Sequence, residues 1–342
     1  MKKFIAVLLS VILAAAALSG CAKSADTDSR NTSSKDTASS KPQKITVVLD
    51  WTPNTNHTGL YVAQAKGYFK AQGLDVEIQQ PPQDGALSLL ASGKAQFAVS
   101  FQDEIATALT ASTPLDVVAV AALIQHNDSG IISLKSKGVT SPKKMEGMRY
   151  ATWNSPIEQA VLKDVIAKDG GDFKKVKMVP EDVDDIVQAL KTNIDCVWVY
   201  YPQEGIEAKV AGLQTNYFAF KDLDPALDFY TPVLASSQSY LKKNPETAKK
   251  FLKAVEQGYR YAISDPQDAA NILCKAVPGT NSQDALLGQE WLKTQYMAEV
   301  KQWGYIDTAR WDQFFTWLYN NKVFSKKLPS GDGFTDAYLP QE

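Results

Sequence analysis

From Ile45 to Tyr200 short apolar runs alternate with amphipathic stretches, and that alternation restricts the chain to a layered α/β fold with mainly parallel sheets. The runs at 44–49, 74–79, 96–100, 115–123, 131–134, 148–152, 177–178 and 196–200 read as strands. Stretches at 57–72, 85–92, 103–111, 156–169 and 183–191 read as helices, each bounded by turn residues. Beyond residue 244 nearly everything reads as helix. Asn244-Pro245-Glu246 and Asp265-Pro266-Gln267-Asp268 each place a capping residue before a first-turn proline and an acid, and helices over 282–300 and 308–320 follow. Two stretches, 130–136 and 228–236, interrupt the series like crossings between two halves. If the chain leaves at one and returns at the other, residues 44–134 plus 231–342 form one lobe and 135–230 an inserted second lobe, with a cleft between them.

The N-terminus predicts export. Lys2 and Lys3 precede an apolar run over 4–18, the layout of a secretory signal and too short to span a membrane comfortably. Leu18-Ser19-Gly20-Cys21 resembles a lipobox, so residues 1–20 read as a lipoprotein signal and Cys21 as the lipidated residue. Residues 21–43 then form a polar tether that cannot bury enough surface to fold. The formal net charge is −2, and loss of Lys2 and Lys3 makes it more negative by two, which gives no footing for nucleic acid. With Cys21 lipidated, Cys196 and Cys274 remain; one pair is no disulfide framework, and whether they join is left open.

In open α/β sheets, ligands meet the carboxyl ends of strands. That rule selects the loop after the first strand, with Trp51 and Asn54; the end of the third, with Phe101 and Gln102; and Trp153, Asn154 and Ser155 in the inserted half. Ser155-Pro156-Ile157-Glu158 reads as a capping box. The run 198–204 adds Tyr200, Tyr201 and Glu204. Aromatic faces with one carboxylate suit a flat, nitrogen-bearing ring. No metal or catalytic pattern accompanies them: His57 and His126 belong to no ligand spacing, no nucleophile elbow or phosphate loop occurs, and Asp182, Asp184 and Asp185 read as a charged helix start. No catalytic residue, cofactor or metal is expected.

The run Asp50-Trp51-Thr52-Pro53-Asn54, then His57, Gly59, Tyr61, Ala63 and Gly67-Tyr68-Phe69, followed by Gly73-Leu74-Asp75-Val76, resembles the opening of the NMT1/THI5-like family of solute-binding proteins. The resemblance implies a periplasmic-binding-protein type II fold, two lobes each with a mixed, mainly parallel sheet flanked by helices. It further implies a monomeric, lipid-anchored receptor that hands a thiamine-related aminopyrimidine to an ABC permease. On this resemblance Trp51 stacks on the pyrimidine, Tyr200 lines the opposite side and Glu204 hydrogen-bonds the aminopyrimidine edge. Pro202-Gln203 stand where similar proteins often have Gly-Trp, so that turn lacks an aromatic contact. The cysteine-rich motif of the pyrimidine-forming enzymes in this family is absent. A receptor for a sulfonate or nitrate would place Arg or Lys in the cleft loops, and 50–57 and 198–204 contain neither.

Overall fold

The computed structural model describes residues 41–82 and 85–341; the signal 1–20, Cys21 and the tether up to residue 40 lie outside the described residues. The strands are β1 (Gln43–Val48), β2 (Leu74–Gln79), β3 (Phe97–Ser100), β4 (Val118–Ala122), β5 (Ser129–Leu134), β6 (Arg149–Thr152), β7 (Lys177–Pro180), β8 (Cys196–Tyr200), β9 (Thr215–Ala219) and β10 (Val233–Ser236). They form two five-stranded sheets, ordered β2-β1-β3-β10-β4 and β7-β6-β8-β5-β9. In each sheet one strand runs against its neighbours: β10 is antiparallel to β3 and β4, and β5 to β8 and β9. These are the two strands the chain enters on crossing between sheets.

The first crossing therefore falls at 123–128, before the expected position. Residues 129–134 were expected in the first half, but β5 pairs with β8 and β9 of the second sheet. An apolar run announces a strand without saying which sheet it joins. The half-exposed β9 was missed because Thr215–Ala219 alternates weakly, and β10 had been read only as a crossing. The two crossings are tied together. Asp228 Oδ1 accepts the Asn127 N–H (3.0 Å), the Asn127 amide donates to the Leu227 carbonyl (2.7 Å), and Asp228 Oδ2 meets His126 Nδ1 (2.6 Å). Arg310, from the helix Thr308–Asn320, donates to Gln125 and to the Tyr230 hydroxyl, one residue on each crossing.

Helices cover both sheets. On the first, Thr58–Ala65 and Pro245–Ser264 bury Leu60, Phe251 and Tyr259 against Ile45, Val47 and Phe97, with the Phe97 and Phe251 rings stacked at 3.9 Å. On the second, Ile186–Lys191 packs Leu190 against Ile132, Val197 and Val199. Asp265 caps Pro266–Ala276 as expected, accepting the Asp268 N–H (3.0 Å). Asn244 does not cap; its amide donates back to the Tyr240 carbonyl (3.1 Å), closing the preceding helix Gln238–Lys243. The helix expected over 282–300 stops at Leu292, where Gln295 N–H folds back onto the Leu292 carbonyl. Cys196 and Cys274 are separate thiols, the first buried. No helix among the described residues is long and apolar enough to cross a membrane.

The Thr58–Ala65 and Pro245–Ser264 helices touch through glycine. A Cβ on Gly258 would lie 2.0 Å from the Gly59 carbonyl oxygen, a backbone atom that cannot swing aside. Gly258→Ala should therefore destabilise the protein by about 1–3 kcal/mol, although alanine is the better helix former by ~1 kcal/mol. Urea unfolding checks this; an unchanged or higher midpoint contradicts the close crossing.

Candidate functional site

Strand ends from both sheets open onto one cavity of about 480 Å³, a volume suited to a small ligand. From β1 come Asp50, Trp51, Asn54 and Asn56; from β3, Phe101, Asp103 and Glu104. The second sheet supplies Trp153 after β6, residues 181–184 after β7, Trp198 and Tyr200 on β8, then Gln203 and Glu204. Phe101 and Tyr200, from opposite sheets, lie near-parallel with ring centres 5.9 Å apart. Trp153 meets Trp198 edge-on at 5.4 Å. Trp51 and Trp153 are 57% and 47% exposed, so indole surface remains free to cover a ligand.

Local chemistry fixes the loops. After β1, Asn54 Oδ1 accepts the Asn56 N–H (2.9 Å), and the Asn54 N–H donates to His57 Nδ1 (3.1 Å). That bond needs a lone pair on Nδ1, so the ring proton sits on Nε2, 2.5 Å from Asp50 Oδ1. After β8 the backbone makes a π-helical turn, Tyr201–Gly205. Its first N–H donates to the Asp128 carbonyl (3.1 Å), and Glu204 Oε2 accepts the Tyr200 N–H (3.0 Å). From the same turn Gln203 Nε2 donates to Asn56 Oδ1 (2.8 Å) and Thr55 Oγ1 (3.2 Å), bridging the sheets. The helix Ser282–Leu292 sits against the turn at Gly288, where a Cβ would lie 2.7 Å from the Pro202 oxygen.

Among the described residues seven carboxyl groups line the cavity, Asp50, Asp103, Glu104, Glu181, Asp182, Asp184 and Glu204, and no lysine or arginine does. Burial pushes Asp103 up to about 6 and Glu204 up to about 7. Glu104 opens onto the cavity, where partial desolvation and the like charge of Asp103 push it upward. Asp128, at the first crossing, is almost fully buried and neither carboxyl oxygen has a partner among the described residues. Its pKa stands well above the usual range through burial first, then the charge of Glu204. Among the described residues no three His, Cys, Asp or Glu side chains converge closely enough to hold a metal ion.

Six residues anticipated from the sequence line this cavity together: Trp51, Asn54, Phe101, Trp153, Tyr200 and Glu204. Three do not. Gln102 is buried beneath it, accepting the Tyr230 N–H (2.9 Å) and donating to the Trp311 carbonyl (2.8 Å). Asn154 shapes the turn after β6, with φ of 59° and its N–H on Thr152 Oγ1 (2.9 Å). Ser155 caps Pro156–Lys168 through the Ile157 N–H (3.2 Å). Glu158 turns inward to the Tyr150 and Thr152 hydroxyls, so the expected reciprocal box is replaced by a buried network. Of the acids read as a helix start, Asp185 alone caps the Ile186–Lys191 helix, while Asp182 and Asp184 face the cavity. Asp50, Asp103, Glu104, Gln203 and Trp198 were missed as site residues; the strand-end rule marks their positions, but nothing in sequence separates them from capping or core residues. A second hollow of about 450 Å³, near Asp312 and Lys327, has one aromatic wall, Phe315, and no strand-end loop.

A family model described as NMT1/THI5 like matches residues 54–269. The formylaminopyrimidine-binding protein of Halalkalibacterium halodurans is 27% identical over 301 residues, covering 86% of this chain and 90% of that protein. A 4-amino-5-hydroxymethyl-2-methylpyrimidine phosphate synthase of Saccharomyces cerevisiae is 28% identical over 250 residues, covering 66% of this chain and 69% of the enzyme. Among solved structures, the alkanesulfonate-binding protein SsuA of Xanthomonas axonopodis pv. citri superposes with a TM-score of 0.64 at 12% identity. It covers 86% of this chain and 99% of SsuA, a likeness of fold alone.

Because the Glu204 pKa is raised from 4.5 to about 7 on folding, the folded protein holds more protons between those values, and this group's contribution to stability is lost as pH rises through that window. Glu204→Gln removes the loss. Its stability relative to the natural protein should therefore improve steadily from about pH 5 to about pH 8 in urea unfolding of the ligand-free protein. A relative stability independent of pH contradicts a half-buried, proton-holding Glu204.

Proposed function

The chain belongs to the NMT1/THI5-like family, and on that premise we propose that it is the receptor of an ABC importer, capturing a thiamine-related aminopyrimidine. The observation that carries this reading is the single cavity in which aromatic faces and Glu204 meet with no cation beside them. A 4-aminopyrimidine offers an exocyclic N–H donor next to a ring nitrogen. A carboxyl group answers both, accepting from the amine and either donating to the ring nitrogen or accepting from its protonated form. Glu204 Oε2 accepts the Tyr200 N–H with one lone pair and keeps the other, so both oxygens can meet the ring edge. Trp51, Trp153, Phe101 and Tyr200 supply faces for stacking. Each such contact contributes about 1–3 kcal/mol and a charged hydrogen bond about 1.5–3, enough together to approach the ~8 kcal/mol of micromolar binding.

In this reading the lobes close over the ligand about the paired crossings, and the Gln203 bridge to Asn56 and Thr55 belongs to the closed state. The protein works outside the cytoplasm, held at the membrane by a lipid on Cys21 and passing its ligand as a monomer to a permease. The formylaminopyrimidine-binding relative supports the ligand class. An anionic ligand such as a sulfonate would enter a cavity of seven carboxyl groups with nothing positive to receive it. The synthase relative favours an enzymatic reading, in which pyridoxal phosphate would be held by a lysine; among the described residues no lysine lines this cavity.

Glu204→Gln should weaken binding of 4-amino-5-hydroxymethyl-2-methylpyrimidine at least tenfold, about 1.4 kcal/mol, by titration calorimetry. Unchanged affinity removes Glu204 from the site. Incubation of the purified protein with pyridoxal phosphate should leave the cofactor's absorbance spectrum unaltered; a Schiff-base band followed by release of a pyrimidine would establish the enzyme instead.

A further inference from the structure

We infer that Asp50, held by His57, is a second ligand-reading carboxyl group, one that requires a hydrogen-bond donor on the C5 substituent of the bound ring. The inference rests on the aminopyrimidine reading and narrows its substrate class. Asp50 lines the cavity, yet its side chain is only 5% exposed, and among the described residues its one partner is His57 Nε2, on Oδ1. The other oxygen, Oδ2, has no partner among the described residues and is not sealed away, so it is open to the cavity. His57 cannot swing aside to re-aim it. The imidazole is fully buried and its Nδ1 is taken by the Asn54 N–H. The loop around it is fastened from the helical layer, where the Tyr259 hydroxyl donates to the Asn56 carbonyl (2.7 Å) and the Tyr296 hydroxyl to the Thr55 carbonyl (3.1 Å). Asp50 is therefore oriented before any ligand arrives.

Each sheet presents the same pair of tools. On the first, Asp50 and Trp51 are consecutive, a carboxyl group beside an indole face; on the second, Glu204 accepts the N–H of Tyr200. A ring between the faces whose only donor is the 4-amino group satisfies one carboxyl group. The other is then enclosed without a donor, because among the described residues no lysine or arginine lines the cavity. In a 4-aminopyrimidine C5 lies on the opposite side of C4 from the nitrogen that meets Glu204, so its substituent points away from Glu204. A hydroxyl or amide N–H there gives Asp50 Oδ2 its partner, which an ether or alkyl group cannot do.

The test is calorimetric titration of the full mature protein with three 4-amino-2-methylpyrimidines that differ only at C5, carrying hydroxymethyl, methoxymethyl or methyl. The hydroxymethyl compound should bind about tenfold tighter than either of the others. Methoxymethyl is larger than hydroxymethyl and methyl smaller, so a loss with both follows the donor and not the volume. In Asp50→Asn, whose carboxamide keeps an oxygen for His57 and turns an N–H donor toward the ligand, the preference should fall to within about twofold. Glu204→Gln should instead weaken all three compounds alike and keep the preference. Equal binding of the three, a preference that survives Asp50→Asn, or one lost in Glu204→Gln overturns the role of Asp50 and leaves the aminopyrimidine reading standing. Binding of none of the three by the natural protein overturns both.

Discussion

Asp228 holds the molecule's two halves in register. One oxygen accepts the Asn127 N–H and the other meets His126, so the outgoing and returning crossings are fastened side by side. The cleft itself follows from the topology of the two crossings. Because the chain enters each sheet after a crossing on its one reversed strand, β5 or β10, the remaining strands of both sheets run in a common sense within each sheet. Their carboxyl ends then open onto one space.

What fills that space is governed by electrostatics. Taking a carboxyl group partly out of water disfavours its charged form, and Asp103 and Glu204 respond with raised pKa values. Such groups at near-neutral pKa can accept from an N–H or donate to a ring nitrogen, which suits the edge of an aminopyrimidine. The turn that carries Glu204 also carries Gln203, whose amide reaches Asn56 and Thr55 on the other sheet. On the proposed reading, recognition and closure are thus made by adjacent residues. Gln203 supplies a bridge between the sheets from the turn that carries Glu204.

Much of this was legible in the sequence because it is local. Apolar runs bounded by turns marked eight of the ten strands, and the strand-end rule led to Trp51, Phe101, Trp153, Tyr200 and Glu204. Some failures are local, since Asn154 and Ser155 are used in a turn and a helix cap; the others depend on contacts distant along the chain. Whether 129–134 joined the first or second sheet is decided by pairing with β8 and β9. Gln102 looked like a ligand contact because it follows β3, yet its amide is consumed by Tyr230 and Trp311, 128 and 209 residues away. Asp182 and Asp184 looked like helix-start charge because only the folded chain brings them to the same hollow as Asp50.

The central claim is that aromatic faces and the Glu204 carboxyl enclose one aminopyrimidine. A crystal structure with 4-amino-5-hydroxymethyl-2-methylpyrimidine bound tests it most directly. The ring should lie against Trp51 or Tyr200 with its amino edge about 3 Å from Glu204. A ring seated elsewhere, or one held in this cavity with Glu204 turned away from it, contradicts the account.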